Sequence, residues 1–123
     1  MKTLLVIGTG GFIGSVCRYL LSLFIHNKVV SAFPFGTLGV NIIGCFAIGL
    51  IYAFYDKGHL STDWRLFLAT GICGGFTTFS AFSNETITLM RNDQMVYAFT
   101  YVAASVIIGL LATFLAITII KFV

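Results

Sequence analysis

Charged residues are scarce in this sequence of 123 residues, where they make up only 9% of the total. A composition so poor in charge is typical of integral membrane proteins and not of soluble domains. The formal net charge of +3 is spread over short segments without a basic cluster, which argues against nucleic acid as a partner. The first expectation is therefore a protein inserted in a membrane.

Acidic residues are especially few, and none precedes Asp56. Gly8, Gly10 and Gly14 imitate a nucleotide-binding glycine loop near the start of the chain. Their spacing is G-x-G-x-x-x-G, however, and no carboxylate follows at the distance needed to hold a ribose. The sequence therefore does not favour a dinucleotide-binding domain. The four-residue spacing of Gly10 and Gly14 instead predicts close packing against another helix.

Cysteine and histidine are too few and too scattered to form a recognisable metal or catalytic site. Cys17, Cys45 and Cys73 fall in three different apolar stretches without a CxxC pattern, so we interpret them as small buried side chains. His26 and His59 have no Cys or carboxylate at ligand spacing. No arrangement of Ser, His and Asp has a believable membrane geometry, and we do not expect an enzyme.

Hydrophobic residues dominate the chain, at 59% of the total and with a mean hydropathy of +1.03. A membrane core of about 30 Å takes about 20 helical residues to cross. The long apolar stretches do not alternate as barrel strands do, so they predict an all-α membrane protein with one four-helix transmembrane domain over residues 1–123. The predicted spans are Thr3–Ile25, Phe35–Tyr55, Leu66–Leu89 and Met95–Ile120.

The orientation of these spans is weakly specified. An even number of spans puts both termini on one side of the membrane. That side carries four Lys and Arg residues against two on the other, or three if Arg18 reaches the second interface. The positive-inside bias is therefore slight.

The third span contains an unusual run, residues 71–85, with the sequence GICGGFTTFSAFSNE. Gly74 and Gly75 loosen a helix, and hydroxyl side chains follow them at a depth where lipid offers no hydrogen bonds. We therefore predict that the third helix is broken near its middle, at this glycine pair, and that residues 71–85 face protein or water.

Two phenylalanines in this run share one helix face, because Phe79 and Phe82 are three residues apart, and Ser83 lies beside them. The edges of phenyl rings carry partial positive charge. The rings and nearby hydroxyls would thus form a string of weak anion sites, although core packing alone explains the rings equally well.

Three polar side chains inside the predicted spans each admit two interpretations. Arg18 either pairs structurally or snorkels to the interface, or it draws anions into a vestibule. Only five residues separate Glu85 from Arg91, which favours a structural place near the surface or in a watery mouth over a cation route. Asn41, with Thr37 one turn before it, either bridges helices or lines a conduit.

Taken in order, three segments resemble the signatures of the Fluc/CrcB family of fluoride channels. They are GFIGSVCRY at 11–19, GTLGVN at 36–41 and GICGGFTTFSAFS at 71–83. The resemblance covers the whole chain in length, number of spans and spacing. It implies an antiparallel, dual-topology homodimer in a bacterial plasma (inner) membrane, with two fluoride pathways and a structural sodium ion at the dimer centre.

The resemblance also assigns roles to residues by position. Ala81 departs from the family pattern, because many members carry Thr there, so one hydroxyl of their polar track is missing. The matching positions are Asn41, Phe79 and Phe82 in the ion pathway, Ser80 and Thr113 in its polar track, and the carbonyls of Gly74 and Thr77 at the sodium site.

The function implied is a passive channel that lets toxic fluoride leave the cytoplasm, with a second copy, fluoride and the lipid bilayer as partners. A small multidrug-type proton-coupled exporter is the alternative, since it also uses four short spans and antiparallel dimers. That class relies on a carboxylate in its first span, and none is present here. A structural subunit of a larger complex is a third possibility, and it predicts no transport by the purified protein.

Overall fold

The computed structural model describes residues 1–123 and contains helices, turns and no strand. Four helical segments are long and apolar enough to cross a membrane. The prediction of an all-α protein with four spans is therefore confirmed, and each helix extends past its predicted window at one or both ends. The segments are α1 (Lys2–Lys28), α2 (Phe35–Asp56), the third span (Thr62–Arg91) and α6 (Met95–Lys121).

Short connections join the spans and carry residues that cap the helices. Pro34 is the N-cap of α2, a place where its missing N–H costs no helical hydrogen bond. Ser61 caps the third span by accepting a hydrogen bond from the Trp64 backbone N–H at 3.3 Å. Lys2 pairs with Asp63 at 2.7 Å, which places the N-terminus and the loop before the third span on the same side.

The third span is the irregular one. Thr77 and Thr78 are extended, with ψ angles of 156° and 117°, and they interrupt the helix near its middle, as predicted. The parts before and after the break are α3 (Thr62–Arg65), a π-helical segment (Leu66–Cys73), α4 (Gly74–Phe76) and α5 (Phe79–Arg91).

The position of the break differs from the prediction. Gly74 and Gly75 are helical, and the chain opens only at Thr77 and Thr78. Glycine permits a break without requiring one. The Thr78 hydroxyl caps α5, because it accepts a hydrogen bond from the Ala81 N–H at 3.2 Å. The threonine, and not the glycine pair, therefore determines where α5 begins.

The glycines instead allow α1 and the third span to touch backbone to backbone. We call Gly10 and Gly14 of α1, with Gly71 and Gly75 of the third span, the glycine seam. A Cβ on Gly14 would overlap the Ile72 carbonyl, and one on Gly75 would overlap the Gly11 carbonyl. The small-xxx-small spacing therefore marks a close helix contact, as predicted.

Little of the chain is buried within a single copy. The α2 and α6 helices pack closely at Gly49, where a Cβ would meet the Thr113 carbonyl and the Ala116 side chain. Only 17 of 123 residues are buried, and the largest buried side chain is Tyr101. The remaining surface is mostly apolar, as expected of a protein that faces lipid or a partner.

Candidate functional site

The extended residues of the break are held by a side chain from α2. The Asn41 Oδ1 accepts a hydrogen bond from the Thr78 N–H at 2.9 Å, and its Nδ2 donates to the Thr78 carbonyl at 3.1 Å. The amide thus satisfies both polar groups of one residue where no helical partner exists. One N–H of Asn41 is not used by these bonds.

A cavity of about 440 Å³ opens beside this pairing, and we call it the break cavity. None of its 13 lining residues is charged. Its walls carry amide, hydroxyl, thiol and ring-edge groups, which act as weak donors toward an anion. The predicted site residues that it brings together are Asn41, Gly74, Thr77, Phe79 and Phe82.

The two phenylalanines stand next to each other on one wall of the break cavity, with ring centroids 5.6 Å apart. Phe79 is 79% exposed, whereas Phe82 is half-buried and its ring lies 5.1 Å from that of Tyr101. Core packing therefore explains Phe82 in part, but it does not account for Phe79.

The predicted polar-track residues lie outside the lining of the break cavity. Ser80 is exposed, with its Oγ 3.3 Å from the Thr78 Oγ1, and Ser83 is also exposed. Thr113 donates to the Cys45 carbonyl at 2.8 Å, which joins α6 to α2. In a single copy these hydroxyls therefore do not form one continuous line with the rings.

Glu85 lies on α5 and lines a second cavity of about 320 Å³, together with His26 and Thr37. Both carboxylate oxygens are occupied by hydroxyl donors. The Thr37 Oγ1 donates to Oε1 at 2.7 Å, and the Tyr101 hydroxyl donates to Oε2 at 2.8 Å. Glu85 is therefore held between α2 and α6, and Phe82 and Tyr101 separate it from the break cavity.

Arg18 reaches the broken helix from α1. Its Nε donates to the Gly75 carbonyl at 3.1 Å, so the residue is paired structurally instead of snorkelling. The carbonyl of Thr77 receives no hydrogen bond from within the chain. Such freed carbonyls are the kind of ligand that a sodium ion takes in broken membrane helices.

Two residues of the site were missed by sequence reasoning. Tyr101 binds Glu85 from a helix that is distant in sequence, so no local spacing relates the pair. Ser105 lines the break cavity, and its buried Oγ has no hydrogen-bond partner. The sequence did carry a signal for Ser105, because Tyr101 and Ser105 are four residues apart on one face of a mostly apolar helix.

Comparison with known proteins agrees with the three sequence signatures. The family model described as CrcB-like protein, Camphor Resistance (CrcB) matches residues 5–117. Three similar proteins are each named fluoride-specific ion channel FluC. That of Phocaeicola vulgatus is 47% identical over 95% of this chain and 97% of its own length. That of Flavobacterium psychrophilum is 46% identical over 98% of both chains, and that of Rhizobium meliloti is 42% identical over 98% of both. The chain therefore belongs to the CrcB family.

Proposed function

We propose that this chain forms a fluoride-selective passive ion channel, which lowers fluoride toxicity by letting the anion leave the cytoplasm. The observation that carries the proposal is the break cavity. It presents the Asn41 amide and the Phe79 and Phe82 rings without any fixed charge. The names of the relatives at 42–47% identity support the same function and a non-enzymatic role.

Neutral donors suit fluoride because of how strongly water holds this ion. A pore must replace the hydration shell with donors, and it must also release the ion at each step. A lysine or arginine in the narrow part would bind the anion too firmly, whereas an amide N–H and ring edges bind it weakly at several points. Ser105, with its unpartnered hydroxyl, adds one more donor to this path.

The working channel is proposed to be an antiparallel homodimer with two pathways. Three observations support a second copy. Phe79 is 79% exposed, the polar track is discontinuous in one chain, and the break cavity is open on one side. The slight charge bias of the loops also suits a protein that inserts in both orientations.

A structural sodium ion at the dimer centre fits the donor set of the break. The Thr77 carbonyl has no donor in the chain, the Gly74 carbonyl lies in the turn before it, and hard cations prefer oxygen ligands. Two carbonyls leave most of the coordination sphere open, so the same pair from the antiparallel copy would complete it. The ion would satisfy carbonyls that the hydrocarbon leaves unpaired.

The multi-pass chain is proposed to reside in the bacterial inner membrane, where cytoplasmic fluoride can leave through it. The proton-coupled exporter gains no support, because α1 contains no acidic residue. The carboxylate of Glu85 in the third span is bound by two hydroxyls.

The test is an efflux measurement. Purified protein is reconstituted into liposomes loaded with potassium fluoride or potassium chloride, and the anion released is followed with ion-selective electrodes after valinomycin is added. We expect fast fluoride release and no chloride release above that of empty vesicles. Fluoride retention equal to that of empty vesicles would overturn the proposal. Light scattering in detergent tests the dimer, which requires twice the chain mass of 13.4 kDa.

A further inference from the structure

Two cysteines of this chain face the same cavity from different helices. Cys45 on α2 and Cys73 at the end of the π-helical segment both line the break cavity, although the sequence places them 28 positions apart. Both are free thiols. The third cysteine, Cys17, is exposed on α1 and does not line this cavity.

The register of α2 against the third span places the two cysteines at the same level of the break cavity. Asn41 is bonded to Thr78, and one turn further along α2 a Cβ on Gly44 would touch the Thr77 side chain. The two helices run in opposite directions here. Cys45, which follows Gly44 on α2, therefore lies at the level of Cys73, which precedes Thr77 on the third span.

We propose that Cys45 and Cys73 form a two-coordinate site for a soft d¹⁰ cation, of which the mercuric ion is the best match. Thiolates are soft ligands that select such cations. Zinc is excluded because it requires four ligands in structural sites, and no group of three or more His, Cys, Asp or Glu residues lies together in this chain.

Charge balance selects the mercuric ion over silver or cuprous ion. On binding, the two S–H bonds break, two Hg–S bonds form, and two protons leave for water, with no change of oxidation state. The product is neutral, whereas the same site with a monovalent cation carries a net negative charge. Burying a charge between apolar walls such as Ile48 and Ala69 is costly.

A bound cation would also obstruct the break cavity. Asn41, Phe79 and Phe82 line it together with both thiols, so a metal between the sulfurs would occupy space beside the proposed ion pathway. The expected consequence is a channel that mercuric ion blocks and that a competing dithiol reopens. This consequence rests on the proposed function, whereas the binding itself does not.

The binding experiment uses the full chain with Cys17→Ser as the reference, so that the exposed thiol does not compete. Mercuric chloride is titrated into the purified protein, and the ultraviolet charge-transfer band of a bis-thiolate complex is followed. We expect the reference to bind one ion per chain, and we expect the bound ion to protect both thiols from alkylation by N-ethylmaleimide, as read by mass spectrometry. Adding Cys45→Ser or Cys73→Ser should remove the band and weaken binding by at least about 10- to 100-fold, because changing even a residue that only contacts a metal ligand lowers affinity by that factor.

Two results would overturn the proposal. One is a reference protein whose thiols remain open to alkylation at saturating mercuric ion. The other is a bis-thiolate band that persists after Cys45→Ser, which would show that the sulfurs come from Cys73 of two copies. The alkylation test needs no variant at Cys45 or Cys73, so misfolding of those variants does not leave the question open.

The flux experiment repeats the titration on fluoride-loaded liposomes of the reference protein. Fluoride release should stop on addition of mercuric ion, return with dithiothreitol, and resist the ion after Cys45→Ser or Cys73→Ser. Equal inhibition of the reference and both variants would contradict a block at these thiols. If the reference releases no fluoride before mercury is added, the channel function fails, and the spectroscopic result still decides the metal site.

Discussion

Asn41 and Thr78 are joined by two hydrogen bonds, of 2.9 and 3.1 Å, that together satisfy the N–H and the carbonyl of Thr78. A side chain on α2 therefore satisfies the extended backbone of the third span, as a neighbouring strand satisfies an extended backbone in a sheet. The place where the third helix breaks is consequently determined by a residue of another helix.

Replacing Asn41 by Asp is expected to abolish fluoride efflux. A carboxylate can accept the Thr78 N–H but cannot donate to its carbonyl, and its charge would repel an anion in the break cavity. The measurement is fluoride release from liposomes, with Asn92→Asp in the exposed turn after α5 as the matched control. Release by the Asn41→Asp protein at the rate of the parent would contradict both points.

Phe79→Ile and Phe82→Ile are each expected to stop fluoride efflux while the protein remains folded, because a branched alkyl group has no polarised edge. Phe114→Ile, at a ring that is 68% exposed on α6, serves as the control and should conduct. Efflux and elution volume are measured for all three. If both cavity variants conducted normally, ring edges would have no part in permeation.

Gly14→Ala is expected to destabilise the chain strongly, since its Cβ would overlap the Ile72 carbonyl and backbone cannot move aside as a side chain can. Overpacking of this kind costs about 1–3 kcal/mol or more. Gly8→Ala is the control on the same helix, because no atom lies within 4 Å of the added Cβ. Thermal unfolding in detergent compares them, and equal midpoints would show that the glycine seam is not tightly packed.

Tyr101→Phe is expected to lower stability, because it removes the hydroxyl that binds Glu85 at 2.8 Å and leaves a half-buried carboxylate oxygen without its donor. Loss of one such partner costs about 1–3 kcal/mol. Tyr19→Phe, at a ring that is 65% exposed, is the control. The midpoint of thermal unfolding should fall only for Tyr101→Phe, and no difference between the two would indicate that water replaces the lost hydroxyl.

Arg18→Gln and Arg18→Met distinguish pairing from attraction of anions. Arg18 Nε donates to the Gly75 carbonyl at 3.1 Å, and glutamine retains an N–H donor for this carbonyl. Methionine retains only the length of the side chain and leaves the carbonyl unpaired. Pairing predicts that the methionine variant is the less stable of the two in thermal unfolding. Equal stability together with equally reduced fluoride flux would instead assign Arg18 to the attraction of anions.

The elements that depend on neighbouring residues in the chain were predictable from the sequence. Hydropathy located the four spans, and the spacing of Gly10 and Gly14 indicated a close helix contact before any partner was known. The break itself was indicated by Gly74 and Gly75, but its position was not, because Asn41 and the Thr78 cap determine it through contacts between helices.

The candidate site was predictable only in part, for the same reason. Asn41, Phe79 and Phe82 carry a sequence signature, and they do line one cavity. The partners of Glu85 carry no sequence signature, since Thr37 and Tyr101 come from two other helices and their pairing appears only in three dimensions. The hydrogen-bond partner of Thr113 was also not predictable, because its hydroxyl donates to the Cys45 carbonyl of another helix.

The glycine seam and the Arg18 bond together restrict how α1 can change in length. One residue inserted between Gly14 and Arg18 would rotate the guanidinium by about 100° around the helix, because an α-helix has 3.6 residues per turn. The arginine would then point away from the Gly75 carbonyl while the glycines stayed in place. We therefore expect α1 to reject even a single insertion between Gly14 and Arg18.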